Sequence, residues 1–165
     1  ALRHKNVHLP KSCRIHPGAK INPRDGAIHF GENCIVADGA IIQGNVRFGD
    51  NCSVQAYTII TAYGSLEDPS GQITMGNCVR IASHSMMMAA NHNFSDPNRP
   101  IHGQGLTHAP ITIEEDVWIG GRVNLTAGVT IGRGSVVGGG SVVTKDVPTM
   151  TIAVGAPAKA IKKRE

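Results

Sequence analysis

The sequence predicts an all-β fold, a stack of three-sided coils whose short strands pair in parallel with those of the coils above and below. Three observations carry this. First, fifteen apolar residues fall on a six-residue grid, in three runs: Phe30, Val36, Ile42, Phe48, Val54 and Ile60; Met75, Ile81 and Met87; then Ile113, Ile119, Leu125, Ile131, Val137 and Val143. No α-helix or ordinary sheet keeps a period of six for so long, whereas a coil giving one large inward residue per short flat face does. Second, 4% aromatic residues and 20 glycines in 165 residues, with abundant Val and Ile, suit tight turns and short strands. Third, the grid breaks twice, at residues 61–74 and 88–112, as a regular scaffold carrying two loop excursions would.

The elements follow in order. Residues 1–29 read as a less regular lead-in, with Pro10, Pro17 and Pro23 near turns, although Leu9, Ile15 and Ile21 extend the grid backwards. Residues 30–60 form clean hexads, three to a coil. The 61–74 excursion holds Gly64, Pro69 and Gly71. Residues 75–87 resume the grid, 88–112 leave it as a long loop without structure of its own, and 113–147 are the cleanest run. The tail, 148–165, is expected to leave the repeat, and the whole of 1–165 reads as one domain. Each buried grid side chain contributes ~1.5–3 kcal/mol, so the grid supplies most of the driving force. Gly31, Gly49, Gly76, Gly120, Gly132 and Gly138 follow grid residues directly, at corners expected to need positive φ. Cys13, Cys34, Cys52 and Cys78 are expected in the small-residue slot that Ala19, Ala40, Thr58, Ser85, Ser135 and Ser141 share. They read as reduced, buried fillers of a cytoplasmic protein, with no metal pattern and no disulfide framework.

A net charge of +4 does not argue for nucleic acid. No apolar run approaches the roughly 18 residues of a membrane span, and the N-terminus shows no signal-peptide pattern. Lys159, Lys162, Lys163 and Arg164 make a basic tail, either solvated or in contact with a phosphorylated ligand. The 88–112 excursion carries His92, His102 and His108 with Asn91, Asn93, Phe94, Asp96 and Arg99. Histidine is the side chain best suited to take a proton near neutral pH. His92 lies closest to the last grid residue, Met87, so its anchor is rigid, and it is the candidate base. Asp96 or a backbone carbonyl is the candidate to orient it. Polar residues of the two excursions, among them Tyr63, Asn91, Asn93 and Asp96, are candidate acceptor contacts.

The runs ITIEEDVWIGGRVNLTAGVTIGRGSVVGGGSVVTKDVP and TIAVGAPAKAI closely resemble the hexapeptide-repeat acyltransferases, which include maltose, galactoside and xenobiotic O-acetyltransferases and the acetyltransferases of surface-polysaccharide synthesis. The strong similarity covers about residues 75–162. It implies a left-handed parallel β-helix, an exception to the right-handed crossover rule. It implies acetyl-CoA as co-substrate without a required metal, and a homotrimer with active sites between subunits. It places His92 as general base and the Gly121 amide as donor to the oxyanion. It sets Trp118, Gly120, Gly121 and Gly139 beside the thiol arm, Thr144 and Lys145 near the pantetheine and nucleotide, and Lys159 and Lys162 near the phosphates, where relatives often carry arginine. No nucleophile motif accompanies His92, which favours direct transfer over an acyl-enzyme. The acceptor expected is a hydroxyl of a sugar or surface-polysaccharide precursor. Residues 1–29, with three prolines, do not read as the helical N-terminal segment usual in maltose and galactoside enzymes. Three other readings stand beside this one: an N-acetyltransferase on an amino sugar, a zinc protein like the hexapeptide-repeat carbonic anhydrases, and a non-catalytic scaffold. The zinc reading needs clustered ligands, and His84 and His92 are eight residues apart with only His84 inside a repeat.

Overall fold

The computed structural model describes residues 5–165. All fifteen grid residues are buried, none more than 4% exposed, and they stack in columns lining the interior of a three-sided, left-handed parallel β-helix. The first face stacks Val7–His8, Ile28–His29, Val46–Phe48, Ile73–Met75, Ile111–Ile113 and Thr130–Ile131. The second stacks Arg14–Ile15, Ile35–Val36, Ser53–Val54, Arg80–Ile81, Trp118–Ile119, Val136–Val137 and Thr151–Gly155, and the third Lys20–Asn22, Ile41–Gln43, Ile59–Thr61, Met86–Met88, Asn124–Leu125 and Val142–Val143. Pairing is parallel and in register, as in Ile35↔Ser53↔Arg80↔Trp118↔Val136. Equivalent side chains therefore sit above one another. Phe30 stacks on Phe48 with ring centroids 4.7 Å apart and planes 9° from parallel.

Several expectations are corrected. The lead-in is a complete first coil, Val7–His8, Arg14–Ile15 and Lys20–Asn22. Its Val7, Leu9, Ile15 and Ile21 pack against the core but stay half-buried, because the described chain places no coil beneath them. A second buried column escaped the grid: Ile28, Val46, Ile73, Ile111 and Val129, two residues before the grid position on the first face. The small-residue slot is therefore large on that face and mostly small on the third, where Ala40, Thr58, Ser85 and Ser141 fill it.

Cys34 and Cys52 are buried and Cys13 half-buried. Each thiol donates to a carbonyl of the next coil: Cys13 to Gly31 at 3.1 Å, Cys34 to Gly49 at 3.2 Å and Cys52 to Gly76 at 3.1 Å. The neighbouring Cys52 thiol, together with burial, pushes the Cys34 pKa up. Cys78 is exposed. It stands in the turn three residues after Met75, and Val79 takes the inner slot.

None of the six glycines expected at positive φ has it. They are needed because coils approach closely at that point: a Cβ on Gly49 would lie 2.6 Å from the Gly76 carbonyl carbon. Left-handed residues come instead three positions after a grid residue, at Asn33, Asn51, Tyr57, Cys78, His84, Asp116 and Arg122, all with φ between +56° and +61°. His84 is one of these turn residues and stacks on Tyr57, centroids 5.3 Å apart.

Both excursions leave from the edge between the third and first faces, after Thr61 and after Met88. The second is not a structureless loop. Ala90–His92 and Leu106–His108 pair antiparallel, and a short 3-10 turn, Ile101–Gln104, lies between them, so that residues 88–112 form an arm. The tail leaves the repeat later than expected. Thr151–Gly155 adds one more parallel rung to the second face, pairing Ile152 with Val136. The chain then turns at the cis Ala156–Pro157 bond and folds back as Ala158–Lys163, antiparallel to that rung.

Candidate active site

The arm presents His92 on its ribbon, opposite Leu106 and exposed to solvent. Its far turn is fastened by side chains. Asn93 accepts from the Thr107 hydroxyl at 2.6 Å and donates to the Gln104 carbonyl at 3.2 Å. Gln104 donates to the carbonyls of Asp96 and Arg99, each at 2.9 Å, and accepts from the Asp96 N–H at 3.1 Å. The Asp96 carboxylate accepts from the Asn98 N–H at 3.0 Å. Asn93 and Asp96 thus carry bonds that shape the arm. Gln104 and Thr107 were not legible as its fasteners, since isolated polar residues in a polar segment give no periodic signal.

The base of the arm meets the first excursion. His108, half-buried, lies against Tyr63 with ring centroids 5.2 Å apart, and its Nδ1 is 3.4 Å from the Ser70 hydroxyl. The Ser70 N–H and hydroxyl donate to the two oxygens of the Asp68 carboxylate, each at 3.0 Å. Those bonds, with His108 nearby, hold the Asp68 pKa below the usual carboxylate range.

A second group of expected site residues sits on another part of the prism. Trp118, 55% exposed, projects from the second face. Gly120 and Gly121 form the turn after its strand, and Gly139 the equivalent turn one coil on. The backbones touch there: a Cβ on Gly120 would lie 2.6 Å from the Gly139 nitrogen. The Gly121 carbonyl accepts from the Gly140 N–H at 2.8 Å, while the Gly121 N–H finds no backbone acceptor among the described residues. Lys159 and Lys162 lie on the folded-back strand of the same face, three strand spacings from Trp118, roughly 14 Å. Lys162, Lys163 and Arg164 line a hollow of about 240 Å³, and Arg164 is tied to Asp116 at 2.9 Å.

Thr144 and Lys145 follow Val143 on the edge from which the arm springs, away from Trp118. Within one chain the expected site residues therefore form two sets: His92, Thr144 and Lys145 along one edge, and Trp118, Gly120, Gly121, Gly139, Lys159 and Lys162 on and beside the second face. Two shallow hollows of about 490 and 510 Å³ lie elsewhere, around Thr112 and Arg133 and around Cys13 and His16. Size alone does not mark the chemistry here, because neither hollow is lined by a member of these sets. Among the described residues no group of three or more His, Cys, Asp or Glu is placed to hold a metal ion, and no helix is long and apolar enough to cross a membrane.

Residues 110–145 match the family described as bacterial transferase hexapeptide (six repeats). The chain is 34% identical over 164 residues to the Escherichia coli K12 protein WbbJ, named as a lipopolysaccharide biosynthesis O-acetyl transferase, with 93% of this chain and 80% of WbbJ covered. It is 36% identical over 162 residues to a Mycobacterium tuberculosis protein named for acetyltransferase activity, covering 96% of this chain and 50% of that relative. The chain thus spans about half the length of some curated relatives it matches. Among solved structures, a variant of AntD, an N-acyltransferase from Bacillus cereus in complex with dTDP-4-amino-4,6-dideoxyglucose and coenzyme A, superposes with a TM-score of 0.82 at 27% identity, covering 93% of this chain and 81% of that one. A maltose O-acetyltransferase from Clostridium difficile 630 superposes with a TM-score of 0.66 at 28% identity, covering 98% and 72%.

Proposed function

Because this chain belongs to the hexapeptide-repeat acetyltransferase family, we propose that it transfers an acetyl group from acetyl-CoA to a hydroxyl of a sugar or surface-polysaccharide precursor, with His92 as general base. The observation that carries this reading is the separation of the two sets of residues. An exposed imidazole on an arm and a set of glycine turns beside an exposed tryptophan complete one another only if a neighbouring copy brings them together. Side-by-side packing of three prisms achieves that closure with cyclic symmetry.

In this arrangement His92 of one copy faces Trp118 and Gly121 of the next. The thiol arm runs along the turns of Gly120, Gly121 and Gly139, where no side chain intervenes. Lys159 and Lys162 lie further along the same face, towards the nucleotide and its phosphates, and Thr144 and Lys145 contact the cofactor from the arm's edge. An imidazole nitrogen of His92 takes the proton of the acceptor hydroxyl as its oxygen attacks the thioester carbonyl carbon, a step worth ~10²–10⁴ in rate. Negative charge develops on the carbonyl oxygen, and the unpaired Gly121 N–H is available to hold it. The intermediate collapses, the C–S bond breaks, and the thiolate recovers the proton from His92. The reaction asks nothing of a metal.

A second reading has an observation of its own: the AntD likeness favours an amine on a nucleotide-linked amino sugar as acceptor. One experiment addresses both. Free-thiol release from acetyl-CoA is followed across sugars, nucleotide sugars and amino sugars, alongside calorimetric titration of acetyl-CoA. Transfer to hydroxyl acceptors supports the first reading and transfer confined to amines the second. Absence of acetyl-CoA binding at millimolar ligand rejects both.

A further inference from the structure

Where the first excursion and the base of the second meet the turns of the prism lies a hollow of about 300 Å³ whose walls include Arg24, Asp25, Tyr63, Ser65, Asp68 and His108. We propose that this hollow is a distal acceptor subsite, binding an uncharged, polyhydroxylated sugar ring next to the unit whose hydroxyl is acetylated at His92. The proposal rests on the reading of His92 given above.

The first argument is the geometry of the arm. In a two-stranded ribbon alternate residues share a side, and directly paired residues lie on the same side. Ala90 pairs with His108 and His92 with Leu106, so His92 and His108 project from one side of the ribbon. They are diagonal neighbours, about 7–8 Å apart. The hollow therefore opens beside the candidate base, on its own side of the arm, at a separation that one further sugar unit spans.

The second argument is the state of His108. The Ser70 hydroxyl donates its proton to Asp68, so at the 3.4 Å contact the His108 Nδ1–H must be the donor. The other ring nitrogen, Nε2, has no hydrogen-bond partner among the described residues and is left to meet a ligand hydroxyl. The Arg24 guanidinium, 5.7 Å from the Tyr63 ring centroid, braces the same ring that His108 contacts, so the walls are set before a ligand arrives.

The third argument is charge. Arg24 offers donors, Asp25 and Asp68 offer acceptors, and the two carboxylates outnumber the one fixed cation. A phosphate or carboxylate ligand is disfavoured there, whereas vicinal hydroxyls, which both donate and accept, match both kinds of wall. The volume, at the low end of ligand pockets, suits a single ring.

The test measures binding without turnover. Saturation-transfer NMR is run with methyl hexopyranosides and with maltose, cellobiose and lactose against the wild-type protein and against Arg24→Gln, Asp68→Asn and His108→Gln. At least one disaccharide is expected to bind more tightly than its methyl monosaccharide. Its Kd is expected to rise about tenfold or more in the Arg24, Asp68 and His108 variants, as for loss of a hydrogen bond to a charged group. Arg24→Gln, at an exposed side chain, is the control against loss of fold, read by its thermal melt. Binding of no sugar in the panel, or an unchanged Kd in both Arg24→Gln and His108→Gln, overturns the proposal. The two readings fail separately. Disaccharide binding that depends on Arg24 and His108, without acetyl transfer, leaves the subsite standing and removes the proposed activity. Transfer whose acceptor KM ignores Arg24 and His108 does the reverse.

Discussion

The prism and the arm that springs from it obey opposite rules. In the prism each strand repeats the one below it, the same kind of inward side chain recurs at the same place, and each inner rung bonds to two neighbours. The arm has two strands with no further strand partner among the described residues, and Asn93, Gln104 and Thr107 set its shape once only. Its Phe94 is 73% exposed, while the equivalent bulk in the prism, Phe48, is 4% exposed. The difference separates two tasks. Stability is distributed over the repeats, and the candidate base stands where a substitution costs little stability.

The largest effect should confirm that separation. His92→Ala is expected to lower turnover by ~10²–10⁴ while leaving acetyl-CoA affinity and the unfolding midpoint unchanged, read by thiol release, calorimetry and thermal melting. Turnover that survives the substitution would remove His92 from the chemistry. Next comes the prism's own weight. Ile119→Ala should cost about 2–5 kcal/mol in chemical denaturation, whereas Leu106→Ala on the arm should cost under about 1 kcal/mol. Equal costs would abolish the distinction between the two regions.

Legibility followed the same division. The six-residue grid exposed the prism because one large aliphatic per face is a strict demand of stacked coils. The first coil was harder to see, since its Leu9, Ile15 and Ile21 are interleaved with prolines that read as loop. The corner glycines serve close packing rather than a left-handed turn. Their positions were visible, but close approach between Gly49 and Gly76 depends on the coil above, which local sequence does not show. The arm's strands were invisible because Ala90–His92 and Leu106–His108 have neither apolar alternation nor a turn dipeptide. The division of site residues into two sets required knowing which edge each turn belongs to. The unpredicted Ser70–His108 contact joins segments 38 residues apart.

Two smaller effects sharpen the comparison inside the prism. Gly120→Ala should destabilise by about 1–3 kcal/mol, because the new methyl group meets the Gly139 backbone rather than a yielding side chain. It should also weaken acetyl-CoA binding, which calorimetry would show. The smallest change should be favourable. Cys78 holds φ at +61° with an exposed side chain. Cys78→Asn, a residue that tolerates this conformation, should gain up to about 1 kcal/mol, visible as a rise in Tm. In the unsubstituted protein Cys78 should be the first thiol alkylated, and buried Cys34, its pKa pushed up by its Cys52 neighbour and by burial, among the last.

The final strand of the second face has a consequence for how such molecules behave in a crowd. A pile of identical parallel rungs ends in a row of unsatisfied amide groups, an open invitation for another molecule to dock end-on and for growth into fibres. Ala158–Lys163 runs backwards across that row and carries Lys159, Lys162 and Lys163 along its outer edge. Reversed polarity and mutual repulsion together cap the column on that face, so polymerisation is blocked there by the very segment that supplies the proposed phosphate-side lysines.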